Sequence, residues 1–356
     1  STPKPSSAAS DVYKRQLNNR LFAARLGANE NVFGPSPLAI RAMKKEAEKI
    51  WMYGDPENHD LKLQLAKKHA VQSENIVVGE GIDGLLGYLC RLFIEPGDRV
   101  VSSLGAYPTF NFHVAGYGGQ LDTVPYVNDY EDPESLVEKA RETNAKLCYL
   151  ANPDNPMGTW NSGKKIEKVV NNIPDGCLFV LDEAYVEFAP SGTSPKIDCS
   201  NEKVIRFRTF SKAYGMAGAR VGYAICHSEL ASAFNKIRNH FGMCRASQAG
   251  ALEALKDTKH FESTVLKVNE AKKRIYRIAL ENGLKSIPSA TNFVAIDCCA
   301  GKDHAFKIMN GLIERGIFVR MPFVEPQNRC IRISAGRTKD LDLFEASLPQ
   351  ILDSIR

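Results

Sequence analysis

The chain contains no apolar run approaching the roughly 18 residues that a membrane-spanning helix requires, and its N-terminus carries no apolar core of the signal-peptide kind. Both absences lead us to expect a cytoplasmic protein. Its nine cysteines form no CxxC pair, and only Cys298 and Cys299 are adjacent, which argues against a zinc ribbon and against a disulfide framework. Cys148, Cys177 and Cys226 lie in strand-like runs and are expected to be reduced and buried. The seven histidines show no HExxH pair or other metal-ligand spacing, so no metal is expected. The net charge of +5 is small, and its basic residues are scattered among acidic ones. That pattern excludes a nucleic-acid footprint and a polybasic membrane patch, and at most favours small anionic ligands. There is no internal repeat and no coiled-coil heptad.

What is present is a chain of 356 residues with 44% apolar content, enough to bury a substantial core in one large unit or two closely packed domains. Residues 1–16, "STPKPSSAASDVYKRQ", resemble tag or linker sequence and are set aside as an N-terminal arm. Ser36 caps an expected helix with Pro37 in its first turn and Leu38, Met43, Ala47 and Ile50 at helical spacing. Short apolar strands then alternate with helices: "NIVVG", "RVVSS", "QLDTVPY", "AKLCYLAN", "CLFVLDEAY", "KVIRFRTF" and "ARVGYAIC" read as strands. Beyond about residue 230 come the longer helices "ELASAFNKIRNH", "SQAGALEALKD" and 260–282, then strands "TNFVAID", "GIFVR" and "CIRISAG" and a last helix from about 338. The expected fold is α/β: a large domain with a mainly parallel, mixed sheet covered by helices, and a smaller α+β domain. The expected boundaries are an arm over 1–20, a large domain over 51–240, and a small domain made of 21–50 with 241–356.

One motif misleads. "GEGIDG", residues 79–84, follows a strand and opens a helix in the manner of a dinucleotide site. That reading needs an acidic residue at the end of the next strand, where "RVVSSLGAY" has Ser102, Ser103 and Leu104. What survives is a helix N-terminus suited to a phosphate.

"TFSKAYGMAGARVGY", residues 209–223, sets Lys212 and Arg220 in a run of small, apolar and hydroxylic residues. An arginine entering an apolar layer needs an anion, for which a phosphate is the best fit, and Ser211 adds a hydroxyl. Asp182 ends the buried-looking strand "CLFVLDEAY", at the ligand-binding edge of a parallel sheet. A strand-tip acid, a phosphate anchor and a sequestered lysine together point to pyridoxal phosphate, whose aldehyde, ring nitrogen and phosphate need those three groups. Asn155 in "ANPDNPMGT" and Tyr185 suit the ring hydroxyl, and Tyr107 in "AYPTF" suits the ring face.

"NPDNPMGT", "LDEAY", "TFSKAYGMAGARVGY" and "CIRISAG", in that order, resemble the fold-type I pyridoxal-phosphate aminotransferases, specifically the histidinol-phosphate aminotransferase-like branch. "ANENVFGPSP" and "YGDPE" belong to the same pattern, so the resemblance runs from residue 25 to the end. It implies Lys212 as the Schiff-base lysine and proton shuttle, Asp182 at the pyridine nitrogen, Asn155 and Tyr185 at the ring hydroxyl, and Tyr107 stacked on the ring. Gly81, Ile82, Ser211 and Arg220 would hold the phosphate, joined by Tyr53 from the second subunit of a homodimer. Arg332 would receive the substrate's carboxylate or phosphate, a fork suited to either anion, with Arg320, Asn29 and Phe33 as further substrate contacts. The implied reaction moves an amino group from a donor to an oxo acid such as 2-oxoglutarate.

The chain departs from the family habit at Val32 and Phe33, where Pro-Tyr is usual, at Gly242 in place of asparagine, and at Met157 in place of threonine. Arg245 and Arg337 add cations, read here as surface residues rather than site residues. The donor therefore stays open among histidinol phosphate, another phosphorylated amine, an aromatic amino acid and an amino acid with its own acid group. A decarboxylase of the threonine-phosphate type shares the scaffold. A nicotinamide (NAD) dehydrogenase is a distant alternative, and a ligand-sensing regulator is disfavoured because the arm has no room for a DNA-binding helix-turn-helix.

Overall fold

The computed structural model describes residues 22–355, so the arm over residues 1–16 lies outside the described residues. A seven-stranded sheet forms the centre, in the order β2 (Ile76–Gly79), β8 (Gly222–Ile225), β7 (Val204–Thr209), β6 (Leu178–Asp182), β5 (Leu147–Ala151), β3 (Arg99–Ser103) and β4 (Gln120–Val124). β8 runs antiparallel to both its neighbours, and the other pairs are parallel. The connection explains the exception: Phe210–Val221 holds only a short 3₁₀ turn, and without a helical crossover the chain returns antiparallel. β5 and β6 are buried at every residue, as strands covered on both faces must be.

The second unit is a three-stranded antiparallel sheet in the order β12 (Cys330–Ser334), β10 (Phe293–Asp297) and β9 (Lys285–Ser286). Beside it β1 (Ala24–Arg25) pairs in parallel with β11 (Ile317–Phe318). Leu26, Ile275, Phe293, Ile331 and Phe344 share one apolar cluster there, which unites the segment near residue 25 with the C-terminal third of the chain. A separate cluster joins Ala39, Leu65, Val78, Tyr223 and Ala251 on the β2 and β8 side of the large sheet. Among the described residues no helix is long and apolar enough to cross a membrane. All nine cysteines are free; Cys148, Cys177 and Cys226 are buried, while Cys244 and Cys299 are exposed.

Several local expectations need correction. Ser36 does cap the helix Pro37–Ala47, accepting from the Leu38 amide, but Ala39 is its buried residue and Ile50, beyond its end, is 62% exposed. The buried face is set by the helix Arg245–Lys256, where Gly250 admits Met43 so closely that a Cβ there would lie 2.6 Å from Met43 Cγ. "GIFVR" pairs only at β11 before Arg320 forms an isolated bridge with Arg332. The stretch "ELASAFNKIRNH" is helical only over Ser228–Asn235. Strands β1 and β9, two residues each, had no periodic pattern to reveal them.

Candidate active site

The parallel strands end together on one edge, and the loops that leave them enclose a cavity of about 180 Å³. β6 delivers Asp182 to its floor. Asp182 is 6% exposed; its carboxylate accepts from Tyr149 Oη at 2.8 Å and from the Ala184 amide at 2.9 Å. Burial pushes its pKa up to about 6, so near neutral pH it is an ionised acceptor facing the cavity. Tyr149, which sequence reading missed, stacks on Phe110 with ring centroids 4.6 Å apart. Its only signal is that it sits on the strand next to Asp182 and its neighbour at the sheet edge.

Lys212 follows β7, and its amine donates to the Asn29 carbonyl at 3.2 Å and lies 5.2 Å from the centre of the Tyr185 ring. Burial pushes its pKa down to about 8, with Arg332 and Arg220 adding to the shift, so a usable fraction is neutral near physiological pH. Asn31 Nδ2 holds the lysine's backbone in place by donating to the Lys212 carbonyl at 3.0 Å, a contact across 181 positions that no local pattern announces.

The phosphate end is built by "GEGIDG" and the run before β8. Gly81 opens the helix Gly81–Phe93 with φ +80°, and a Cβ there would lie 2.4 Å from Arg220 Nη2. Only glycine admits both the backbone and the guanidinium. Arg220 Nη1 donates to Ser211 Oγ at 3.3 Å. Arg220 is nevertheless exposed, which corrects the expectation that an apolar layer surrounds it: its anion is demanded by its aim at a helix N-terminus, not by burial. Ile82 and Ser211 line the same end, and Asp83, also in the lining, accepts from His113 at 2.9 Å.

On the opposite wall Tyr185 Oη accepts from Asn29 Nδ2 at 3.1 Å and from Asn155 Nδ2 at 3.5 Å. Asn155 Oδ1 accepts from Arg332, which is 9% exposed and donates also to the Gly27 carbonyl at 3.3 Å. Neither Arg332 nor Arg320 forms an ion pair among the described residues, and the Nε of each is buried without a partner. Burial pushes the Arg332 pKa down to about 10, the mark of a guanidinium short of a counter-ion. Tyr107 lines the mouth, 44% exposed.

The structure thus gathers Asn29, Ile82, Tyr107, Asn155, Asp182, Tyr185, Ser211, Lys212, Arg220, Arg320 and Arg332 around one cavity, with Gly81 backing Arg220. Tyr53 and Phe33 do not line it. Tyr53 is 79% exposed and packs on Phe241, and Phe33 packs beside the small-unit core with Lys267 over its ring at 5.9 Å. Phe33 is diverted because that core offers its ring apolar contact. The other departures also stand outside the lining. Met157 is buried beside Ile287 and Ala295, Arg245 pairs with Glu46, and Arg337 pairs with Asp340 at 2.9 Å.

An acid at the floor, an amine beside it, hydroxyl and amide donors opposite, and a glycine-backed guanidinium at a helix N-terminus fit pyridoxal phosphate group by group. Fold and site together define a pyridoxal-phosphate enzyme with a large α/β sheet and a smaller unit that closes one wall.

The family model for aminotransferase class I and II matches residues 24–345. The chain belongs to that family and is a pyridoxal-phosphate-dependent aminotransferase. It is 33% identical over 335 residues to histidinol-phosphate aminotransferase 2 of Carboxydothermus hydrogenoformans, covering 92% of this chain and 91% of that protein. Histidinol-phosphate aminotransferase from Sinorhizobium meliloti, solved in complex with pyridoxal-5'-phosphate, matches with a TM-score of 0.94 and 47% identity, covering 100% of this chain and 99% of that one. Aspartate aminotransferase from Thermus thermophilus, solved with maleate, shares the fold at a TM-score of 0.81 and 19% identity over 98% of this chain and 97% of its own.

Proposed function

We propose that the amino donor is a phosphate-bearing amine of the histidinol-phosphate kind, that the acceptor is an oxo acid such as 2-oxoglutarate, and that the working unit is a cytoplasmic homodimer. One observation carries the donor assignment: two guanidiniums, Arg332 and Arg320, line the cavity beside Lys212, their Nε atoms unpartnered and neither arginine in a direct ion pair among the described residues. A doubly charged phosphate suits two such forks better than a single carboxylate does. The named relatives support the same donor. The departures at Val32, Phe33 and Gly242 do not weigh against it, because none of these residues lines the cavity of its own chain.

Bound in the cavity, pyridoxal phosphate supplies an aldehyde that can be exchanged for the donor's amine and a ring that withdraws electrons from the donor carbon. Asp182 would hold a proton on the ring nitrogen. Lys212 Nζ, the amine beside it, would carry the proton that leaves the donor's carbon. Asn155 and Tyr185 would hold the ring hydroxyl, Tyr107 would cover the ring face, and Ser211, Arg220 and the amides at Gly81 and Ile82 would hold the phosphate. Asn29, whose carbonyl accepts from Lys212, fixes where that amine rests.

Support for the homodimer comes from exposed aromatic side chains: Trp51 and Tyr53 are 80% and 79% exposed, and Tyr53 packs only on Phe241, itself 53% exposed, which leaves Tyr53 free to reach a partner's phosphate site. A reducing cytoplasm suits nine free thiols. The test is a steady-state comparison of histidinol phosphate, phosphothreonine, glutamate and an aromatic amino acid as donors, with release of carbon dioxide monitored alongside. The reading expects the largest kcat/KM with histidinol phosphate. An aromatic amino acid that surpasses it, or carbon dioxide released from phosphothreonine, overturns the assignment.

A further inference from the structure

Behind the loop that carries Asn155 lie two carboxyl groups that the reaction does not use. Glu131 and Asp154 are 2% and 1% exposed and face each other. Neither forms an ion pair with a lysine or arginine among the described residues, yet each of their oxygens is supplied with a donor. Glu131 accepts from Ser103 Oγ at 2.6 Å and from the Ala151 amide at 3.1 Å. Asp154 accepts from Tyr126 Oη at 2.7 Å and from the Met157 amide at 2.9 Å. Two carboxylates cannot touch while both are ionised in such a place, because burial and mutual repulsion each disfavour the second charge.

We propose that Glu131 and Asp154 share one proton, and that the single negative charge left on the pair serves as a remote counter-ion that holds Arg332 and Asn155 ready for the substrate's anion. The inference rests on Arg332 being the anion contact. A direct carboxylate partner would satisfy Arg332 but occupy the fork that must receive substrate. A charge one residue behind Asn155 lowers the cost of burying the guanidinium and leaves its Nε free. The connection is physical: Asp154 precedes Asn155, Asn155 Oδ1 accepts from Arg332, and β5 and β12, in different units, are joined through it. The groups facing the pair are Ser103, Tyr126, Cys148, Tyr149, Tyr185 and Arg332; Arg332 alone is a cation. Burial drives both carboxyls toward the protonated form, Glu131 first, by desolvation and then by the neighbouring Asp154. Loss of the shared proton at alkaline pH then places a second negative charge behind Arg332, which repels a substrate anion. Glu131 and Asp154 are positioning residues in this reading, since neither lines the cavity.

Two readouts test it. The infrared difference between the unaltered protein and Glu131→Gln at neutral pH is expected to contain a protonated-carboxyl band, to which Glu187, pushed up to about 7 by burial, does not contribute because both proteins share it, and alkaline titration is expected to remove that difference band. Sulfate, whose charge is fixed, is used as a competitor of the donor on the holoenzyme from about pH 7 to about pH 9, below the range in which Arg332 loses its own charge, and its inhibition constant is expected to rise with pH as the pair ionises. Glu131→Gln fixes one charge on Asp154 and is expected to hold that constant within about twofold across the range. A difference spectrum without that band, or a Glu131→Gln sulfate profile that superimposes on the unaltered one, overturns the proposal; where Glu131→Gln fails to fold, a sulfate inhibition constant of the unaltered protein that stays flat across the same pH range overturns it. Arg332→Ala separates the two readings: sulfate bound as well by Arg332→Ala as by the unaltered protein refutes the anion site, while the infrared band still reports on the pair.

Discussion

Lys212 is where a single residue's environment has the largest chemical consequence. Its amine attacks only when neutral, and burial that brings its pKa down to about 8 raises the neutral fraction at physiological pH by more than two orders of magnitude over a lysine at its ordinary 10.5. The sign is fixed by the charge: below about 8 the folded amine is protonated and inert, above it the amine is free. Capture of pyridoxal phosphate by the cofactor-free protein should therefore speed up about tenfold per pH unit on the acid side and level off above about 8, read from the rate at which the visible absorption of bound cofactor appears. Lys212→Ala should lose both that absorption and turnover; a variant that transaminates at the native rate refutes the assignment. Lys212, Asp182, Asn155 and Arg332 were legible in the sequence because the chemistry dictates residue type and each lies at a strand end or beside a short motif. Tyr149 and Asn31 were not. A tyrosine inside a buried strand and an asparagine in a loop look alike whether or not they touch a catalytic group.

Among the elements, the turn from β2 into the helix Gly81–Phe93 does the most. "GEGIDG" was legible as a strand, a turn and a helix N-terminus, but its reason for glycine is tertiary: the Arg220 guanidinium occupies the space of the missing Cβ. Gly81→Ala should strain the backbone, with φ at +80°, and displace Arg220, weakening cofactor binding about tenfold or more, since each 1.4 kcal/mol is a factor of ten. Gly176, which does not line the cavity, gives the control. Its φ is +79° with nothing within 4 Å of a built Cβ, so Gly176→Ala should lower the melting temperature without changing cofactor affinity. Equal affinity losses in the two variants would show that strain, not Arg220, is the cause. The helix Pro37–Ala47 makes the complementary point: its cap was readable from Ser36 and Pro37, but its buried face depends on where Arg245–Lys256 packs, 208 positions further along the chain in the case of Pro37 and Arg245.

For the whole molecule, the cavity is closed by both units, β5, β6 and β7 supplying the floor and β12 the wall that carries Arg332. Tyr53 lies outside its own chain's cavity, so its expected role needs a second copy. Mixing decides this. In a dimer of one Tyr53→Ala chain and one Lys212→Ala chain, one site combines an intact Lys212 with an intact Tyr53 and the other carries both defects. If subunits exchange freely, half the dimers are mixed and one site in two is whole, so activity should recover to about a quarter of the unaltered enzyme. Activity no greater than the sum of the separate variants refutes a shared site.

By itself the sequence determined the α/β class, the order of the long strands and helices, and the choice of a lysine, an acid, an asparagine and an arginine that the structure brings to one cavity. Hydrophobic periodicity and the residue types of the chemistry are local properties, and a one-dimensional string records them. Only the tertiary structure decided the antiparallel return of β8, the diversion of Phe33 into the small-unit core, the exposure of Arg220, and the meeting of Glu131 with Asp154 behind Asn155. Arg332 and Asn155 stand 177 positions apart, and Asn31 and Lys212 stand 181 apart. Contacts at that separation are set by how whole units pack, because packing, not spacing along the chain, chooses which buried polar group finds which partner.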